Sequence, residues 1–168
     1  FDRSWYNRAN VEPVNGFCSE EEYTRFMGQV NEFERMIMES DTHLVKLYIS
    51  ISKEEQARRF DRRRNDPLRQ WKLSEVDLQA QDLWCEFTEA KYRLLQKTHR
   101  PQTPWHVIRS DSKPLAQLET IKVILSHIKY QGRRRSLDFD PNPDIVLSGD
   151  EELKLMRKQK KKHGKFLG

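Results

Sequence analysis

The sequence lacks what would build a membrane span, a disulfide framework or a zinc site. Hydrophobic residues make up 36% of the 168, against 34% charged. Mean hydropathy is −0.93, and no apolar run approaches the roughly 20 residues needed to cross a bilayer. No succession of charged, apolar and small residues marks a secretory leader. Cysteine is scarce: Cys18 and Cys85 stand far apart and form no CxxC. They are expected to be reduced thiols of a cytoplasmic protein, used for packing rather than chemistry. The five histidines and two cysteines show no zinc-ligand spacing, so His99, His106 and His127 read as structural. No nucleic-acid reader motif and no internal repeat is found, so nucleic acid is not the expected partner. A GxxxxGK phosphate loop is absent as well.

What is present is positive charge. The net charge is +5 and the isoelectric point is near 9.2. That balance favours polyanionic partners, although a solvated basic surface would give the same totals. The length fits one ordinary domain with a real core.

Ser19 and Glu22 form a capping box, a Ser followed three residues later by a Glu. Behind it Tyr23, Phe26, Met27, Val30, Phe33, Met36 and Ile37 recur every three or four residues, which predicts an amphipathic helix ending near Ser40. His43 to Ile51 is rich in β-formers and reads as a largely buried strand. Ser52 with Glu55 opens a second helix carrying Arg58, Arg59, Arg62, Arg63 and Arg64, which should stop before Pro67. After a linker over 66–73, Ser74 begins a helix expected to run to about Thr98, with Leu78, Trp84, Phe87, Ala90 and Leu94 inside. Trp105 to Ile108 reads as a short strand. Asp111 or Ser112 then caps a last core helix, with Pro114 in its first turn and Leu118, Ile121, Leu125 and Ile128 as its apolar face. From Gln131 the chain reads as an irregular basic extension. It ends in a helix from Ser148 to about His163, whose last stretch is Arg157-Lys-Gln-Lys-Lys-Lys162.

Strands separated by helices predict an α/β fold with a parallel sheet and helical crossovers. Ligands of such sheets bind at the carboxyl ends of the strands, which directs attention to residues 2–8, 50–54 and 109–113. With Phe1-Asp2-Arg3 taken as a strand end, Asp2 can hold Mg²⁺ as a Walker-B carboxylate does. Arg3 and Arg8 can neutralise phosphate oxygens, Asn7 is a neutral donor, and Glu12 is a second carboxylate. A surface turn with an Asp–Arg pair is the alternative. Arg59 and Arg63, four apart, share a helix face. With Arg69 and Lys72 following, the segment suits a basic lid over a phosphate chain, or else an ion-paired solvated helix.

Several segments in order resemble the polyphosphate kinase 2 family. They are Asp2-Arg-Ser-Trp-Tyr-Asn-Arg8 with Val11-Glu12; Gly16-Phe-Cys-Ser-Glu-Glu-Glu-Tyr23 with Phe33-Glu-Arg-Met36; and Ile51-Ser-Lys-Glu-Glu-Gln56 with Arg59-Phe60. Asp66-Pro-Leu-Arg-Gln-Trp-Lys72, Pro104-Trp105 and Ser110-Asp-Ser-Lys113 complete the set. The resemblance implies a thymidylate-kinase-like P-loop α/β/α sandwich. The implied activity moves a phosphoryl group between inorganic polyphosphate and a nucleotide, ADP, GDP or AMP and the corresponding higher phosphates, with Mg²⁺. It assigns metal binding to Asp2, the phosphate site to Arg3, Asn7, Arg8 and Glu12, and the lid to Arg63 and Arg59. Lys46, Arg69, Lys72 and Lys113 become candidates for the polyphosphate and nucleotide path; for Lys46 a strand-face role is the stronger expectation. Residues 1–130 correspond to the C-terminal portion of the family domain and 131–168 to an extension. Asn10 stands where the family usually has Gly. The family's phosphate loop lies upstream of the Walker-B strand. The expectation is therefore a protein with a further N-terminal half, or a truncated product that binds polyphosphate without turnover. The resemblance also implies a homodimer or homotetramer.

Overall fold

A computed structural model describes residues 1, 3–134 and 136–167. A 3-10 turn at Trp5–Ala9 leads to the short helix α1 (Val11–Val14) and the long helix α2 (Glu20–Glu39). Strand β1 (Lys46–Ser50) is followed by α3 (Lys53–Asn65), a 3-10 turn at Gln70–Lys72, α4 (Glu75–Gln79) and α5 (Trp84–Thr98). Then come β2 (Trp105–Arg109), α6 (Lys113–His127), β3 (Val146–Ser148) and α7 (Gly149–His163).

The starts of the helices follow their chemistry. The capping boxes of Ser19 with Glu22 and Ser148 with Glu151 are both formed, each hydroxyl accepting the third-residue N–H while the Glu takes the cap's own N–H. Ser52 accepts the Glu55 N–H at 3.2 Å. Gly164 closes α7 in the left-handed conformation, φ 71°, where a side chain would be strained.

β1 and β2 pair in parallel from Lys46 opposite Trp105 to Ser50 opposite Arg109, with a helical crossover between them as expected. β3 is an addition. It runs antiparallel on the far side of β2, with His106 opposite Ser148. Its source is the extension, where Ile145-Val-Leu-Ser148 is a short β-forming run wedged between a proline-rich turn and the cap of α7.

Alternation along the strands sends Lys46, Tyr48, Ser50, Trp105 and Val107 to one face. The first 3-10 turn, α2, α5 and α7 cover it, and Tyr6, Ala9, Met27, Val30, Leu94, Leu95, Trp105, Val107 and Leu153 form the core. α6 lies on the other face, where His127 meets His106 edge to face at 4.9 Å between ring centres. α7 is part of the core, since both Leu153 and Met156 are buried. Among the described residues no helix is long and apolar enough to cross a membrane.

Four local expectations need correction. Phe1 is fully exposed and neither Phe1 nor Arg3 lies in a strand. The helix expected over 74–98 breaks between Gln79 and Trp84, where the Gln81 amide is held by the Lys53 carbonyl and Gln56 Oε1; Leu78 is left exposed. On α2, Phe33 and Met36 are exposed while Glu34 is fully buried. On α6, Leu118 and Ile121 face outward. The smaller Ala116 and Val123, with Glu119, face inward.

Candidate active site at the strand ends

The carboxyl ends of β1 and β2 are stitched together beyond their ladder. The Ser110 N–H donates to the Ser50 carbonyl at 2.7 Å. The Ser52 N–H donates to Asp111 Oδ1 at 2.8 Å. These bonds fix where α3 starts, and so where its arginines point.

The arginines of α3 divide by partner. Arg59 is committed: its Nε donates to Glu55 Oε1 at 2.6 Å and its guanidinium also reaches the Ser110 carbonyl. It braces α3 against the end of β2. Arg58 takes the other oxygen of Glu55, and together Arg58 and Arg59 hold that carboxyl below its ordinary value. Among the described residues Arg63 pairs only with Asp77 Oδ2, at 3.9 Å, and its side chain is one-third exposed. Its guanidinium lies over the Phe60 ring. Arg63 is therefore free to reach a ligand at little cost. Farther along, Arg69 pairs with Asp66 at 2.8 Å, and the Lys72 ammonium sits over the exposed Trp71 ring at 5.1 Å. Lys113 is exposed in the first turn of α6, beside the stitched strand ends.

The first 3-10 turn forms a second group. Asp2, the expected metal ligand, lies outside the described residues. Arg3, with φ 56°, and Asn7 line a cavity of about 300 Å³ shared with Asn10, Tyr48 and Ile49. Asn10 donates to the Tyr48 hydroxyl at 3.0 Å. Burial, partly offset by that bond, pushes the Tyr48 hydroxyl up to about 12. Arg8 and Glu12 are not in this cavity. Arg8 pairs with Glu12 and, at 3.4 Å, with Glu22 at the start of α2. Farther toward the end of β1 a cavity of about 150 Å³ is lined by Tyr48, Ser50, Gln56, Trp84 and Lys91. The two cavities share Tyr48 and Ile49, so the turn and α3 each border the same strand.

Lys46 is placed elsewhere. It is buried, and its three donors are used by Glu34 Oε2 at 2.8 Å, the Thr98 carbonyl at 2.7 Å and the Tyr6 hydroxyl at 3.3 Å. Burial lowers the Lys46 ammonium pKa, opposed by Glu34. Tyr6 in turn donates to Glu34 Oε1 at 2.7 Å. The cluster pins the turn that carries Arg3 and Asn7 to the body of the protein.

A second buried charge group was not anticipated. Lys91 donates to Glu152 Oε1 at 2.5 Å and Ser50 Oγ at 3.1 Å, and Arg109 donates to Glu152 Oε2 at 2.5 Å. Burial lowers the Lys91 pKa, with Glu152 opposing it. Glu152, from the extension, therefore ties the ends of both parallel strands to α7. The signal lay in spacing: Lys91 stands four residues after Phe87, and Glu34 four after Val30, each on the apolar stripe of its helix.

The fold and site define an α/β protein that gathers cationic and amide side chains at the carboxyl edge of its sheet, an arrangement suited to phosphate chemistry. Comparison with known proteins is specific. The family model described as Polyphosphate kinase 2 (PPK2) matches residues 1–136. The chain belongs to the polyphosphate kinase 2 family. It is 46% identical over 146 residues to a GDP-polyphosphate phosphotransferase of Pseudomonas aeruginosa, covering 87% of this chain and 41% of that protein. It is 47% identical over 151 residues to a GDP-polyphosphate phosphotransferase of Mycobacterium tuberculosis, covering 89% and 50%. The crystal structure of Polyphosphate Kinase 2 from Arthrobacter aurescens TC1 superposes with a TM-score of 0.71 at 30% identity, over 82% of this chain and 50% of that one. The chain thus spans half or less of the length of these relatives.

Proposed function

We propose that this chain supplies the lid and strand-end groups of a phosphotransferase that moves a phosphoryl group between inorganic polyphosphate and a nucleoside mono- or diphosphate, ADP, GDP or AMP. One observation carries the reading. Of two arginines on one face of α3, Arg59 is fixed to the strand end while Arg63 is left nearly unpartnered beside it. A braced helix with one available guanidinium can meet charge that develops on a transferring phosphoryl group. Arg3 and Asn7, facing the cavity beside β1, would bind phosphate oxygens of the second substrate. Arg69, Lys72 and Lys113 would lie along the path of the chain.

Mg²⁺ is the metal proposed, with Asp2 as ligand. Among the described residues no group of three or more His, Cys, Asp or Glu could hold a metal, and Glu12 is occupied by Arg8. The described residues do not by themselves make a metal site. We further propose a cytoplasmic homo-oligomer, in keeping with two free cysteines.

The test is a coupled assay of the full-length gene product with polyphosphate and ADP, GDP or AMP. Arg63→Ala should lower kcat by about 100-fold or more, the scale of losing one charge-stabilising donor, with the melting temperature unchanged. No nucleotide product from the wild type, or full activity in both Arg63→Ala and Asp2→Ala, would reject the proposal.

A further inference from the structure

The last turns of α7 concentrate charge beyond what the fold uses. Residues 157–165 hold one Arg and five Lys, and no Asp or Glu follows Glu152. Among the described residues, none of the ion pairs involves a residue after Glu152. A helix C-terminus favours cations, but one or two suffice. Lys158, Lys161 and Lys162 lie three and four apart on one exposed face of α7, and like charges at this spacing repel.

This basic end is held in place. α7 runs antiparallel to α5, from Gly149 beside His99 to Arg157, whose Nε donates to the Tyr92 hydroxyl at 3.1 Å. After Gly164 the chain folds back. Phe166 is buried and stacks on Tyr92 at 4.7 Å, the Lys160 ammonium caps the Phe166 ring at 4.7 Å, and the Leu167 carbonyl accepts from Trp84 Nε1 at 2.9 Å. Trp84 also lines the cavity shared with Ser50 and with Gln56 of α3. The lysines are therefore fixed at the end of the molecule that carries the arginine helix.

We propose that the exposed lysine face of α7 is a second polyanion site, which holds a distal stretch of a long polyphosphate chain while its end occupies the strand-end site. The inference rests on the proposed function for the choice of polyanion. A chain too short to span both places would gain nothing from it, whereas for a long chain the second contact is intramolecular and raises overall affinity.

The variant is Lys158→Gln/Lys161→Gln/Lys162→Gln. It keeps good helix formers and leaves the contacts of Arg157 and Lys160 in place. Binding of long-chain polyphosphate and of tripolyphosphate to the full-length protein is measured across a salt series. Removing three contacts should weaken long-chain binding by about 10- to 100-fold near 0.1 M salt and flatten the log–log salt slope by about 2. Tripolyphosphate binding and turnover should not change. Unaltered long-chain affinity and slope would overturn the proposal. So would an equal loss with both ligands, which would place the lysines in the transfer site, or a loss confined to single-stranded RNA, which would make them a nucleic-acid surface. If the wild type shows the chain-length pattern but no turnover, the anchoring site stands and the enzymatic reading falls.

Discussion

Replacing Lys46 by Met tests the buried cluster against the path role its sequence position also permits. Lys46 and Glu34 side chains are 3% and 0% exposed, and the ammonium has an acceptor for each proton. Removing it strands the Glu34 carboxylate in the core. Breaking a buried pair in this way costs about 3–5 kcal/mol, a large part of the roughly 5–15 kcal/mol that holds a domain folded. For a chain of this size that is a fall in Tm of about 6–20 °C. The assay is urea unfolding followed by tryptophan fluorescence, reading the midpoint at constant m-value. The triple variant Tyr6→Phe/Glu34→Leu/Lys46→Met removes the charges and the hydroxyl together, and should recover most of the loss because a buried pair adds little over apolar packing. If Lys46→Met stays within about 1 kcal/mol of wild type and instead raises the KM for polyphosphate, the structural assignment is wrong.

Two further outcomes follow from the histidines. Burial, then the neighbouring His127 and His99, lowers His106 from 6.5 to about 4, and among the described residues its buried Nε2 has no hydrogen-bond partner. The unfolded chain binds the extra proton first. Stability is therefore complete above about pH 6.5 and declines as pH falls toward 4, by at most about 3 kcal/mol; His106→Phe should flatten that decline in pH-dependent urea titrations. At Gly149 an added Cβ would sit 2.3 Å from His99 Nδ1, the atom that accepts the Trp105 N–H at 3.0 Å. Gly149→Ala should cost about 1–3 kcal/mol by overpacking, while Gly164→Asn should cost less because Asn tolerates the left-handed cap; thermal melts of the two variants give the ranking.

The elements with chemical punctuation were legible in the sequence. Ser19, Ser52 and Ser148 each opened a helix where a hydroxyl and a following acid said so, and β1 and β2 stood out as short β-forming runs. What was not legible depends on facing partners. The α6 stripe of Leu118 and Ile121 has helical periodicity yet faces outward, because periodicity names a face without saying which side the sheet is on. The break before Trp84 is held by Gln81 bonds to a helix about 25 residues earlier, which no local window contains. In the site, Arg59 stands only a close second to Arg63 in sequence. Only the Ser110 carbonyl, brought in by β2, makes one a brace and leaves the other available. Lys91 and Glu152, more than sixty residues apart, could be recognised singly as charges on apolar stripes but not as a pair.

That pair sets an order on synthesis. Lys91 belongs to a helix that can pack against the parallel strands as soon as β2 exists, yet its buried carboxylate partner lies on α7 and leaves the ribosome more than forty residues after β2. Until Glu152 has emerged, the helix must either keep its amine in water or bury it uncompensated. Chains interrupted before α7 would carry an exposed seam beside Trp84 and Phe87, a surface that proteolysis and chaperones act on.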